Sequence, residues 1–160
     1  MSSKEKYKVL FSYHFDTLAK LMDQAEALGT EGVQEKPSNG RSMHELFLHI
    51  LDTDRGWRMG LERGFRPEHL DPEDYVSLNA LRSRLSEERS AWMELIDDAE
   101  GSFLDGIAEL KSRDGRQFSF DRWRVMQHVI LHGMQHHAEL AASLTDKGNS
   151  PGDIDFIFYR

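Results

Sequence analysis

Hydrophobic residues recur every three or four positions along most of the chain, which is the spacing of one face of an amphipathic helix. A stripe of this kind predicts a first helix over residues 5–28. The polar stretch over residues 29–40, GTEGVQEKPSNG, is typical of a loop. A second helix is predicted to begin at Ser42, because Ser42 and Glu45 have the form of a capping box ahead of an apolar run.

Two further helices are predicted in the second half of the chain. One runs from about Ser77 to Ala99 and contains a charged run, EERSAWMELIDDAE, that is typical of a solvated helix face. The other is capped by Ser119 or Asp121 and runs to about Lys147, after which Gly148 suits the position that follows a helix end. Four long amphipathic helices predict an all-α fold, a four-helix bundle.

Two segments lie outside these helices. Residues 101–120 contain three glycines and fit either a short hairpin or an irregular loop. The C-terminal tail is too apolar for a free disordered end, and four of its residues are predicted to pack partly against the helices: Ile154, Phe156, Ile157 and Phe158.

Composition narrows the function classes. The 160 residues fit a single domain, 1–160, and a net charge of -8 argues against binding to nucleic acid or to anionic membranes. The absence of cysteine removes disulfides, thiolate nucleophiles and cysteine metal sites together. No apolar run reaches membrane-spanning length and the first residues lack a signal-peptide core, so we expect a cytoplasmic protein.

Half of the eight histidines stand in one stretch, HVILHGMQHH, over residues 128–137. On a helix, His132 and His136 lie about 40° apart on one face, which is the spacing that two imidazoles need to bind one metal ion. His128 is one turn too far to join them and belongs at the rim, and His137 points about 100° away from His136. Gly133 follows the first histidine where a zinc protease motif has glutamate, so that motif is absent.

A third ligand must come from another helix, because two imidazoles hold a divalent ion weakly. His49 differs from the other candidates because small residues, Thr53, Gly56 and Gly60, share its helical face and leave room for a cavity or a close neighbour. Close packing around a hydrogen-bonded histidine explains the same pattern. His69 lies between two prolines in a polar loop that favours a solvated side chain. The candidates are His14, His44, His49 and His69.

Three segments resemble the DinB family of DinB/YfiT-like metalloenzymes: ELFLHILDTDRGW, HVILHGMQHHAELAASL and the tail GNSPGDIDFIFY. The resemblance covers nearly the whole chain. It implies a four-helix bundle, often connected up-down-down-up and frequently dimeric. It also implies a metal site formed by His49 with the pair His132 and His136.

The resemblance further implies an open metal site in an enzyme. Zinc or nickel suits imidazole ligands, and three protein ligands leave a position for a water or thiol whose pKa the ion lowers. Related proteins include thiol-dependent transferases and metal-dependent hydrolases, so the expected substrate is a small molecule, including a low-molecular-weight thiol. The alternative is a bundle without catalytic activity that binds metal or serves a stress response.

The chain departs from the family after the last ligand. Many relatives have arginine, a small residue and glutamine there, whereas this chain has His137, Ala138 and Glu139. Any substrate contact made by that arginine and glutamine is therefore in doubt. Glu139 lies on the side of the helix that carries His132 and His136, so it either orients an imidazole or faces solvent, and the second interpretation is slightly favoured.

Overall fold

The protein is mostly helical in the computed structural model, which describes residues 1–100 and 102–160. Within these ranges there are five α-helices and one pair of β-strands. Their bounds are α1 Ser3–Glu26, α2 Gly29–Gln34, α3 Met43–Arg63, α4 Leu78–Asp98, β1 Ile107–Lys111, β2 Gln117–Asp121 and α5 Arg122–Asp146.

Local capping chemistry sets the start of the long helices. The predicted capping box is confirmed, because the Ser42 hydroxyl accepts from the Glu45 amide while the Glu45 carboxylate accepts from the Ser42 amide. The Ser77 hydroxyl caps α4 by accepting from the Ala80 amide. At the other end of α3, Gly64 has φ of 76°, a left-handed conformation that glycine adopts without the steric cost of a side chain.

Two sequence predictions about regular structure need correction. The stretch over residues 29–40 was expected to be a loop, but its first part forms the short helix α2. The fold is not purely α-helical, because β1 and β2 form an antiparallel hairpin over residues 107–121, with Ile107 paired to Asp121 and Lys111 paired to Gln117. Of the two structures that fitted this segment, the hairpin is the one observed, and Gly101 lies outside the described residues.

The long helices pack around a common core. Helix α1 contacts α4 and α5, and α3 contacts the same two helices from the other side. Each contributes its predicted apolar stripe, and the largest fully buried side chains include Trp92, Phe11, Phe15, Phe47 and Leu18. In the part of the chain that is described, no helix is both long and apolar enough to cross a membrane.

The hairpin is joined to the end of α3, and this places it beside the histidines. The Lys111 amide donates to the Gly64 carbonyl (2.8 Å), and the Arg66 amide donates to the Lys111 carbonyl (2.9 Å). Leu110 fills the space left by Gly60, where an added Cβ would lie 2.9 Å from a Leu110 methyl. The small residues beside His49 therefore make room for the hairpin and the segment after α3.

Two predictions about solvent exposure hold only in part. Glu88, in the charged run of α4, is fully buried because Arg58 of α3 and Arg84 enclose its carboxylate. In the tail, Ile157 and Phe158 are 81% and 67% exposed, so they do not pack as expected. The tail is held instead by Phe156 and Tyr159, whose rings lie 5.1 and 5.4 Å from the ring of Tyr13, and by the donation from the Tyr13 hydroxyl to the Ile154 carbonyl (2.6 Å).

Candidate metal centre

Three histidines from two helices converge at one point of the α3–α5 seam. His132 and His136 lie one turn apart on α5, and His49 faces them from α3. The Nε2 atom of His132 lies 3.1 Å from the Nε2 atoms of both His49 and His136. Among the described residues this is the one group of three or more histidines or carboxylates whose ligand atoms all lie within 4.8 Å of one another.

The proton arrangement of these rings suits a cation between them. His136 Nδ1 lies 3.1 Å from Glu139 Oε2, and in the tautomer that donates this hydrogen bond the Nε2 atom presents a lone pair to His132. Lone pairs on converging nitrogens repel one another unless a positive charge lies among them. Tetrahedral zinc with Zn–N bonds of about 2.0–2.1 Å separates its nitrogen ligands by about 3.3 Å, close to the spacing observed. The residues therefore fit a divalent ion.

Burial keeps two of the rings neutral. It lowers the pKa of His49 to about 4, with smaller contributions from the neighbouring side chains of Arg41 and His136. It lowers the pKa of His132 to about 3, with His136 and His49 adding to the effect. Both imidazoles are therefore unprotonated near pH 7, which is the form that binds metal.

Glu139 both faces solvent and orients an imidazole, which were the two alternatives left open by its position on the helix. Its side chain is 46% exposed, as the favoured interpretation requires, yet it also accepts the hydrogen bond from His136. The contact holds the His136 ring in one orientation, a common arrangement behind metal-binding histidines.

The remaining predicted residues lie around the three histidines or away from them. The His128 ring lies 6.0 Å from the His132 ring at the rim of the site. His44 Nε2 donates to the Tyr75 carbonyl (2.7 Å), outside the site. His69 is exposed, but its Nδ1 atom lies 2.6 Å from Asp52 Oδ2, so it is not simply solvated.

Behind α5 lies a buried polar cluster that sequence reasoning missed. His14 Nε2 lies 2.8 Å from Asp54 Oδ2, and both side chains are almost fully buried. The His137 ring stacks on His14 with centroids 5.0 Å apart, and within the described structure neither of its ring nitrogens has a hydrogen-bond partner. Burial raises the pKa of Asp54 and lowers the pKa of His137 well below its ordinary value. In the sequence, only the glycine at position 133 of this helix pointed to the cluster, because the His14 ring occupies the space that a side chain at position 133 would need.

A second group missed by sequence reasoning lies on the other side of His49. Asp52 accepts from the Leu70 amide (2.9 Å) and pairs with Arg113 (3.3 Å) in addition to His69. Arg66 lies next to Arg113, and an added Cβ at Gly56 would be 2.9 Å from Arg66 Nη2. No sequence motif marks this group, because its members come from α3, the following loop and the hairpin.

A cavity of about 250 Å³ opens beside the three histidines. Its walls are mostly apolar and come from Trp57, Phe120, Arg124, Val125 and His128. Since His128 belongs both to this cavity and to the rim of the histidine site, the two are neighbours.

The fold and the site define a mostly helical protein with a three-histidine group that could hold a metal ion. The sequence profile of the DinB family matches residues 1–160, and the chain belongs to that family. The crystal structure of a DinB-like protein from Bacillus subtilis, YjoA, superimposes with a TM-score of 0.67. The two chains are 14% identical over 88% of this chain and 93% of that one, so the likeness concerns the fold. No curated protein matches the chain.

Proposed function

We propose that the protein is a divalent-metal-dependent enzyme of the thiol S-transferase or metal-dependent hydrolase kind. The observation that carries this proposal is the convergence of the Nε2 atoms of His49, His132 and His136, with 3.1 Å between neighbours. Family membership supports it. Zinc or nickel is the proposed metal, because neutral imidazoles suit both ions.

Each residue of the site has a definite task in this proposal. The three imidazoles hold the ion, and Glu139 fixes the His136 ring through its Nδ1 proton. When bound, the ion supplies positive charge that lowers the pKa of a water or thiol in the open coordination position. The apolar cavity wall at Trp57 and Phe120 excludes bulk water from one side of the site.

The proposal extends to assembly and substrate. Family membership supports a four-helix bundle with up-down-down-up connections, a homodimer and a small-molecule substrate such as a low-molecular-weight thiol. Light scattering on a size-exclusion column tests the dimer.

Metal content and turnover test the enzymatic proposal together. Untagged wild-type protein is expected to bind about one divalent ion per chain, His132→Ala to lose it, and the matched rim variant His128→Ala to keep it. Thiol-conjugation and hydrolysis assays are then run on loaded, chelator-stripped and reloaded wild-type protein. Turnover that follows metal content supports the proposal. Full activity in His132→Ala refutes it, and metal binding without turnover favours a metal-binding protein that is not an enzyme.

A further inference from the structure

Arg66 is a half-buried cation without a matching anion. Among the described residues no ion pair joins it to a carboxylate, and its buried Nε atom has no hydrogen-bond partner. The nearest acid network is already engaged, since Asp52 holds Arg113, His69 and the Leu70 amide. A buried N–H without an acceptor is unfavourable, and the four N–H donors on the two terminal nitrogens of Arg66 can donate to an anionic ligand.

The position of Arg66 joins it to the cavity. Its guanidinium carbon lies 4.6 Å from the centre of the Trp57 ring. That ring packs edge-on against His128 (5.2 Å) and Phe120 (6.1 Å), which line the cavity. Arg66 thus lies against the Trp57 ring, which forms one wall of the cavity, whereas Arg124, the arginine that lines the cavity itself, pairs with Asp121 (3.7 Å). His128 lines the cavity and lies 6.0 Å, ring to ring, from His132.

The dimensions suit an aromatic group. An engineered protein cavity of roughly 150 Å³ holds benzene, and the cavity here is about 250 Å³. Trp57 and Phe120 offer a ring edge and a ring face for stacking. The cavity is open to solvent rather than sealed by protein, so a polar end of the ligand can extend towards Arg66.

We propose that this cavity binds a small carboxylate with an apolar or aromatic body, with the body against Trp57 and Phe120 and the carboxylate on Arg66. Planar guanidinium and carboxylate groups can form two parallel hydrogen bonds, which gives the site both charge and shape selectivity. The inference deepens the proposed function, because it names a substrate class for the same metal centre.

Calorimetric titration with 3-phenylpropionate and its neutral amide tests the inference on the full chain. Wild-type protein is expected to bind the acid at least about tenfold more tightly than the amide, which is the effect of one charge-assisted contact. Arg66→Gln is expected to lose that preference. Arg63→Gln, an exposed arginine at the end of α3 three residues before Arg66, is the matched control and is expected to keep it.

Each titration is performed on zinc-loaded and on chelator-stripped protein, because a carboxylate can also bind a metal directly. The inference is supported if the preference for the acid over the amide depends on Arg66 in both the zinc-loaded and the chelator-stripped protein. Equal binding of acid and amide, binding that Arg66→Gln leaves unchanged, or no binding to the wild type overturns it. Failure to bind zinc counts against the proposed function alone, because the stripped protein still tests Arg66. If Arg66→Gln does not fold, Arg66→Lys replaces it, and binding of the acid and the amide is compared in wild type and in this variant. Arg66→Lys is expected to retain part of the preference for the acid.

Discussion

Replacing Gly133 with alanine tests the packing between α1 and α5 behind the metal site. Alanine normally stabilises the interior of a helix relative to glycine, by about 1 kcal/mol. Here its Cβ would lie 2.3 Å from His14 Nδ1 and 2.4 Å from His14 Cε1. The His14 ring is 1% exposed and is held by Asp54, so it has no free space into which to move.

The expected cost exceeds the gain. Overpacking a core costs about 1–3 kcal/mol, and pulling His14 from Asp54 leaves a buried carboxyl unsatisfied at about 1–3 kcal/mol. After the helical gain of about 1 kcal/mol, we expect Gly133→Ala to lower the free energy of unfolding by about 1–5 kcal/mol. Urea unfolding of metal-free protein at pH 7.5, followed by circular dichroism, measures this loss. The slope of the unfolding free energy against urea concentration is expected to be the same in the variant and in wild type.

The matched control repeats the substitution in a His14→Ala background. Without the imidazole, Gly133→Ala is expected to become neutral or stabilising, so the two changes should be strongly coupled in a double-mutant cycle. The reasoning is refuted if Gly133→Ala is as stable as wild type. It is refuted equally if the loss is the same in both backgrounds.

Three further predictions concern charge. Glu139→Ala is expected to weaken zinc binding about tenfold. Glu139→Gln is expected to weaken it less, because the amide oxygen of glutamine still accepts a hydrogen bond from the His136 ring. Equal zinc affinity in wild type and Glu139→Ala would contradict the orienting role of Glu139. The lowered pKa values of His49 and His132 mean that the unfolded chain takes up protons first, so metal-free protein should lose stability as pH falls from about 6.5 towards about 4. Urea midpoints across that range measure it, and the same pH slope in a His49→Gln/His132→Gln double variant would count against this cause. Glu88→Gln is expected to cost about 3 kcal/mol in urea unfolding because it leaves Arg58 without its buried partner, whereas the exposed control Glu87→Gln should be near neutral.

The helices could be predicted because their signals are local. Ser42 and Glu45 are three residues apart, and the capping box they form depends on little else. Helix α2 was missed because glycines at both ends of a short polar run are more typical of a loop, and its buried Val33 is the one residue that ties it to the core. The hairpin was left undecided for a similar reason, since five-residue strands carry little periodicity.

The candidate site was predictable in part. His132 and His136 show their pairing in the sequence, because a helical turn brings residues four apart together. The small residues on its helical face were the only sequence feature that favoured His49 as the third ligand. The family resemblance then selected it from four candidate histidines. Arg66 and Asp54 had no such signal, because their surroundings are made by elements distant in the sequence.

A crystal structure of zinc-loaded protein with anomalous data at the zinc edge tests the central claim most directly. One anomalous peak is expected within about 2.0–2.1 Å of the Nε2 atoms of His49, His132 and His136, with no fourth protein ligand. No peak at this position would contradict a metal centre. An ion with a fourth protein ligand, such as the Glu139 carboxylate, would contradict an open catalytic site and indicate a structural one.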